Sequence, residues 1–237
     1  MSLTTHKQPP AKICFLHSAL QGDLVNAAQR IGRRLKREQL EYVAREKYKV
    51  PDSLLCKRAL EMVSECSSPF LLNHGLRSYA FAVAMAHKVK KPFDKEVLFV
   101  GSVMHDLGLT DAHDHGGTFE CDGARGAREF CVEQNMPTEK ADLIHEMVAL
   151  HNSVGIAHKK DPEIALLHFG AGLDVAALWI KDIHPTTLQE IIAEHPRLDF
   201  VESFTALLED QLERKPDSYM KTMIDLGFLK KMRTVPF

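Results

Sequence analysis

"SVMHDLGLT", residues 102–110, decides how this chain is read. It closes an apolar run, "VLFVGSVM" (97–104), with His105 and Asp106 side by side and a glycine at 108. Neighbouring side chains on an α-helix diverge by about 100°. They serve one site only where the helix is ending and the backbone turns. The pattern predicts a helix from about Glu96 to Leu107 with Gly108 as its C′ residue.

Working outward, helical periodicity dominates and strand alternation is nearly absent. "PDSLLCKRALEMVSEC" offers Asp52 and Ser53 as N-caps, with Leu55, Ala59, Met62 and Cys66 at helical spacing. "FLLNHGLRSYAFAVAMAHKV" is a helix that stops before Pro92. Beyond the doublet, "TDAHDHGGTFECDG" reads as a loop, followed by helices near 124–133 and 138–151. Asp161-Pro162 opens the next helix, and "GAGLD" is expected to interrupt or bend it near 170–174. Thr187 and Glu190 have the spacing of a capping box. Two more helices are expected near 199–214 and 217–226. The chain is expected to be all-α. Residues 1–50 form an N-terminal arm and a polar helix; residues 51–237 form the domain, with its motifs in 51–180 and C-terminal helices in 185–237.

Bulk properties bound the function. The 237 residues are 45% hydrophobic and 26% charged, with a formal net charge of −2. That composition suits one globular core and argues against a dedicated nucleic-acid or anionic-membrane binder. Arg30, Arg33, Arg34, Lys36 and Arg37 cluster, but Glu38, Glu41 and Glu46 follow at once, as on a solvated helix face. No signal peptide or run of ~20 apolar residues is visible. Cys14, Cys56, Cys66, Cys121 and Cys131 are scattered without a C-x-x-C pair and read as reduced thiols, so a cytoplasmic location is expected.

His74, within an apolar helix, His105, Asp106 and Asp174 are the candidates for chemistry. A buried carboxylate needs a partner. A divalent cation would neutralise Asp106 and Asp174 together, and two imidazoles with two carboxylates suit zinc, manganese or iron.

The order of these residues resembles the HD superfamily of metal-dependent hydrolases: one His, a His-Asp doublet about thirty residues on, and a distant Asp. "LLNHGLRSYAFA", "HDLGLT", "FECDGARGAREF", "VALHNSVGIA" and "HFGAGLDV" are most similar to its cyanamide hydratase-like branch. The resemblance implies a helical bundle with a single buried metal site held by His74, His105, Asp106 and Asp174. It implies zinc, with manganese or iron as alternatives, and water added to a small nitrile such as cyanamide. Two other functions stand beside it: an HD phosphohydrolase acting on a nucleotide or other phosphoester, and a non-catalytic metal-binding regulatory module. Many phosphodiesterase members carry Lys three residues after the doublet's Asp, where this chain has Leu109.

Around these ligands, Thr110, Glu120 and His151 are the catalytic candidates. Thr110 either bonds a ligand carboxylate or the bound water, or caps its turn. Glu120 either orients His74 or His105, or simply favours a helix N-terminus. His151 is a candidate acid/base. Arg77 and Asn152 are candidates for the substrate; Arg77 is alternatively the partner of a ligand carboxylate. "HEMVA" does not complete H-E-x-x-H, so the zincin motif is excluded. His113 and His115 fall in a loop that would lid the site or supply a second metal. The expected partner is a small molecule, with neither nucleic acid nor membrane; the sequence leaves the oligomeric state open.

Overall fold

The structure is a computed structural model, and it describes residues 40–237. The basic cluster at 30–37 and most of the expected N-terminal arm lie outside the described residues. Those described fold into helices with no strand among them: α1 (Arg45–Tyr48), α2 (Leu54–Cys66), α3 (Pro69–Ala84), α4 (Lys95–Met104), α5 (Phe119–Glu133), α6 (Thr138–Leu150), α7 (Pro162–Ala176), α8 (Pro185–Glu194), α9 (Phe200–Arg214), α10 (Tyr219–Asp225) and α11 (Phe228–Met232). None of these is long and apolar enough to cross a membrane.

Two of these helices carry the fold. Both α3 and α7 are buried on nearly every side, as expected of helices that are apolar all round. They pack with their backbones almost touching: a Cβ on Gly170 would lie 2.1 Å from the Ser78 carbonyl oxygen. This corrects the expected break at "GAGLD". The helix runs unbroken to Ala176, and Gly170 serves helix contact, not bending. Gly75 does the same between α3 and α4, where a Cβ would meet Val103 Cα at 3.1 Å. These small residues bring the segment around His74 against the end of α4.

Other boundaries follow local chemistry. Ser53 Oγ accepts from Cys56 N at 3.1 Å and caps α2, while Asp52 pairs with Lys57 at the surface. Asp94 caps α4 by accepting from the Glu96 and Val97 amides. Helix α5 starts five residues earlier than its apolar periodicity suggests, because "FECDG" is its first turn. The capping box at Thr187 is not formed. Pro185 starts α8, His184 caps it, and Thr187 Oγ1 instead accepts from Val43 N at 2.9 Å and donates to Val43 O at 3.2 Å. Thus residues 40–48 lie against α8.

The apolar interior falls into two clusters. The larger is built mainly by α2 to α8. The smaller gathers Phe70, Phe119 and Val175 with Phe200, Phe204, Met220 and Met223 of the C-terminal helices. The smaller cluster supplies most of the apolar wall of the cavity described below.

Candidate metal centre

His74, His105 and Asp106 are the three residues that meet. Their ligand atoms lie within 4.8 Å of one another, and all three side chains are buried. His74 Nε2 is 3.0 Å from His105 Nε2 and 3.4 Å from Asp106 Oδ2, and His105 Nε2 is 3.2 Å from the same oxygen. The doublet converges because α4 stops at Met104: His105 is still right-handed helical, whereas Asp106 has φ −108° and ψ 16°. A tight turn over Leu107–Leu109 follows. Gly108 is not a left-handed C′ residue. It lies where α5 presses on the turn, and a Cβ there would meet Phe119 O at 2.1 Å.

Hydrogen bonds assign the ring tautomers. His105 Nδ1 donates to Ser102 O at 2.6 Å, and His74 Nδ1 to Asp174 Oδ2 at 2.7 Å. Each proton on Nδ1 leaves a lone pair on Nε2. Two lone pairs and a carboxylate therefore face one another, and Asp106 Oδ2 has no hydrogen-bond partner although it is buried. Such a cluster could hold a cation. Burial pulls both imidazoles down and leaves His74 lowered, but at His105 the adjoining Asp106 carboxylate outweighs it and the net shift is upward. Against burial, His105 and His74 hold Asp106 well below the ordinary carboxylate range. Two imidazole nitrogens and one carboxylate oxygen are the donor set of a catalytic metal site that keeps positions open. The anchored Nδ1 atoms are the support such ligands require.

Asp174 stands outside this group. Its carboxylate is fully buried behind His74, where Oδ2 takes His74 Nδ1–H and Arg77 Nη2–H, at 2.7 and 2.9 Å. Oδ1 takes Arg77 Nε–H at 2.7 Å and Arg197 Nη1–H at 3.1 Å. The reason is helical register. His168, Ala171, Gly172 and Val175 form an i, i+3, i+4, i+7 stripe on the cavity side of α7. Asp174 is four residues beyond Gly170 and shares the face turned to α3.

The other expected residues divide similarly. Arg77, expected to meet substrate, takes its other expected role as a carboxylate partner; its remaining donor reaches the His195 and Pro196 carbonyls at 2.9 and 3.1 Å. Thr110 caps its own turn by donating to Leu107 O at 2.7 Å. Glu120 orients neither His74 nor His105. Its Oε1 accepts from Asn152 Nδ2 at 2.6 Å, and burial raises its pKa. His151 and Asn152 do line the cavity. His151 Nδ1 donates to Val148 O at 2.6 Å, and its Nε2 lies 3.7 Å from Asp106 Oδ1. Burial, then the neighbouring His105, pushes His151 down to about 3. His113 and His115 belong neither to the cluster nor to the cavity wall; His113 rests against Gly126, and the His115 amide donates to Asp122.

The cavity has a volume of about 60 Å³. Sequence reasoning missed two parts of its wall. One is His168, legible in the stripe on α7. The other is the apolar roof of Phe204, Met220, Met223 and Phe228, whose spacing reads only as ordinary core.

The chain is similar to two yeast hydratases. They are the cyanamide hydratases DDI2 and DDI3 of Saccharomyces cerevisiae, each 25% identical over 187 residues, or 77% of this chain and 83% of theirs. No family model matches. Similarity over most of both chains, together with the buried cluster, supports an enzyme of hydratase or hydrolase type.

Proposed function

We propose that the protein is a metal-dependent hydratase of the HD superfamily that adds water to the nitrile carbon of a small uncharged substrate, with cyanamide the first candidate. The reading is carried by one observation: two imidazole lone pairs and an unpartnered carboxylate oxygen converge in a cavity of about 60 Å³. His74, His105 and Asp106 would hold a divalent ion, zinc first and manganese or iron as alternatives. When bound, that ion supplies Lewis acidity, acidifying water at neutral pH and polarising the substrate.

The chain's own groups do the rest. In the hydration of cyanamide to urea, one C–O bond forms at the nitrile carbon, and two protons end on the former nitrile nitrogen; nothing leaves. His151 is neutral, and its Nε2 lone pair faces the reacting region, so it is the group placed to take a proton from water and pass it to that nitrogen. Asn152, held by Glu120, keeps its carbonyl and one N–H for the substrate. The apolar roof makes the surroundings of the site less polar.

A phosphoester fits poorly. Among the described residues no Lys or Arg lines the cavity, and Arg77 and Arg197 are committed to Asp174. Developing phosphoryl charge calls for such cations. The test is metal analysis of the purified protein, followed by assay of metal-loaded protein on cyanamide, scored as urea, beside nucleoside monophosphates and a chromogenic phosphoester. Urea formation that chelation abolishes is the expected result. Phosphate release without urea formation refutes the proposal, and metal-free, stably folded, inactive protein would indicate a binding module.

A further inference from the structure

His168 takes no part in the chemistry proposed above, yet its surroundings are specific. It is 6% exposed and lines the same cavity as the metal cluster. Its Nδ1 donates to His151 O at 2.7 Å, which assigns the proton to Nδ1 and a lone pair to Nε2. Burial pushes its pKa down to about 4, so that lone pair persists at neutral pH. An edge contact with Trp179 and a tilted contact with Phe169, at centroid distances of 5.5 and 6.0 Å, hold the ring in place. Among the described residues no group donates to Nε2. The result is a buried, fixed acceptor opening on a cavity otherwise walled largely by Phe, Met, Val and Leu side chains.

A fixed acceptor in an apolar wall rewards a ligand that brings an N–H. It penalises one of equal size that does not, because the acceptor is then buried unpaired. Cyanamide and acetonitrile differ in this one respect: an amino group against a methyl group on the same nitrile carbon. We propose that His168, together with the Asn152 carbonyl, is the specificity-determining acceptor of the cavity, selecting a nitrile that carries an amino group over an alkyl nitrile. This assignment rests on the hydratase reading for the name of its substrate but not for its chemistry.

The test compares an amino with a methyl group in two ways on metal-loaded protein. One measures kcat/KM for cyanamide and for acetonitrile. The other measures binding of urea and of acetamide by ligand-observed NMR, which requires no turnover. Asn at 168 keeps a donor near the Nδ1 position, and with it the bond to His151 O, but has nothing at the Nε2 position; Gln places its amide near the Nε2 position. His168→Asn should lower both preferences by roughly 10- to 100-fold with an unchanged melting temperature, and His168→Gln should restore part of them. A wild-type protein that binds acetamide as tightly as urea overturns the assignment. So does a folded His168→Asn variant that keeps both preferences. A protein that prefers urea over acetamide but makes no urea from cyanamide leaves the acceptor standing and removes the hydratase reading.

Discussion

Replacing Asp174 with Asn separates two roles for the same residue. As a metal ligand it would cost activity more than folding, and excess metal would restore part of the loss. The structure predicts the reverse. The carboxylate is fully buried and accepts four hydrogen bonds, one from His74, two from Arg77 and one from Arg197. An amide carries no charge and has one accepting oxygen. With Nδ2 in the place of Oδ2, it meets the donors of His74 and Arg77; in the place of Oδ1, it meets those of Arg77 and Arg197. Both orientations oppose donor to donor and leave two buried guanidinium groups without their anion. Breaking a buried pair from one side costs about 3–5 kcal/mol. For a chain of this size that lowers Tm by about 6–20 °C. Against burial, Arg77 and His74 hold Asp174 well below the ordinary carboxylate range. Its contribution is therefore complete above about pH 4, where the unfolded residue ionises, and is lost as pH falls through the folded-state value. The gap between wild type and Asp174→Asn should shrink on acidification. Thermal melts with chelator and with added zinc, at neutral pH and near pH 3, measure this. A variant within about 2 °C of wild type whose activity returns with zinc refutes the reasoning and restores Asp174 as a ligand.

Other substitutions test other parts of the site. His105→Ala should abolish metal stoichiometry with little loss of helical circular dichroism, because beyond the cluster its one hydrogen bond among the described residues is to Ser102 O; full metal content in the variant removes His105 from the ligand set. Gly170→Ala should destabilise by about 1–3 kcal/mol or more in chemical denaturation, since the new Cβ would lie 2.1 Å from Ser78 O. In an open helix the same change stabilises by about 1 kcal/mol, so a stabilised variant would refute the α3–α7 backbone contact. Asn152→Ala should raise KM for cyanamide while largely sparing kcat, because it removes a substrate contact and leaves Glu120 Oε1 buried without its donor; an unchanged KM would count against Asn152 in binding.

What the sequence made legible was local. An apolar run ended by His105-Asp106 marks a helix end carrying two potential ligands, and the structure places both in one cluster with His74. The all-helical fold followed from periodicity alone. What was not legible depended on which face of a helix meets which neighbour. Asp174 and His168 are six residues apart on α7, so they point to different sides, yet both stand in an apolar run that periodicity reads as uniformly buried. Gly170 suggested a bend because a glycine within a helical pattern is a breaker when nothing is known of its neighbours. Against the Ser78 carbonyl it is a contact surface. The roof was hidden for a related reason: Phe204, Met220 and Met223 pack like core residues, and only the third dimension shows that they close over a cavity.

The positions of His105 and His151 have a common cause. Each is the C-cap of its helix, α4 and α6 respectively, and each donates from Nδ1 to a carbonyl three residues back, Ser102 O or Val148 O. Helix C-termini leave carbonyls without intrahelical partners. A histidine placed there satisfies one of them, and in doing so turns its Nε2 lone pair outward. The same two ends bring the negative poles of two helix dipoles to one place, each favouring a cation nearby by about 0.3–1 kcal/mol. The field at the cluster is therefore set by backbone as well as by Asp106. It would favour a cation held there and oppose an anionic ligand. A small neutral substrate is the kind that such a field does not repel.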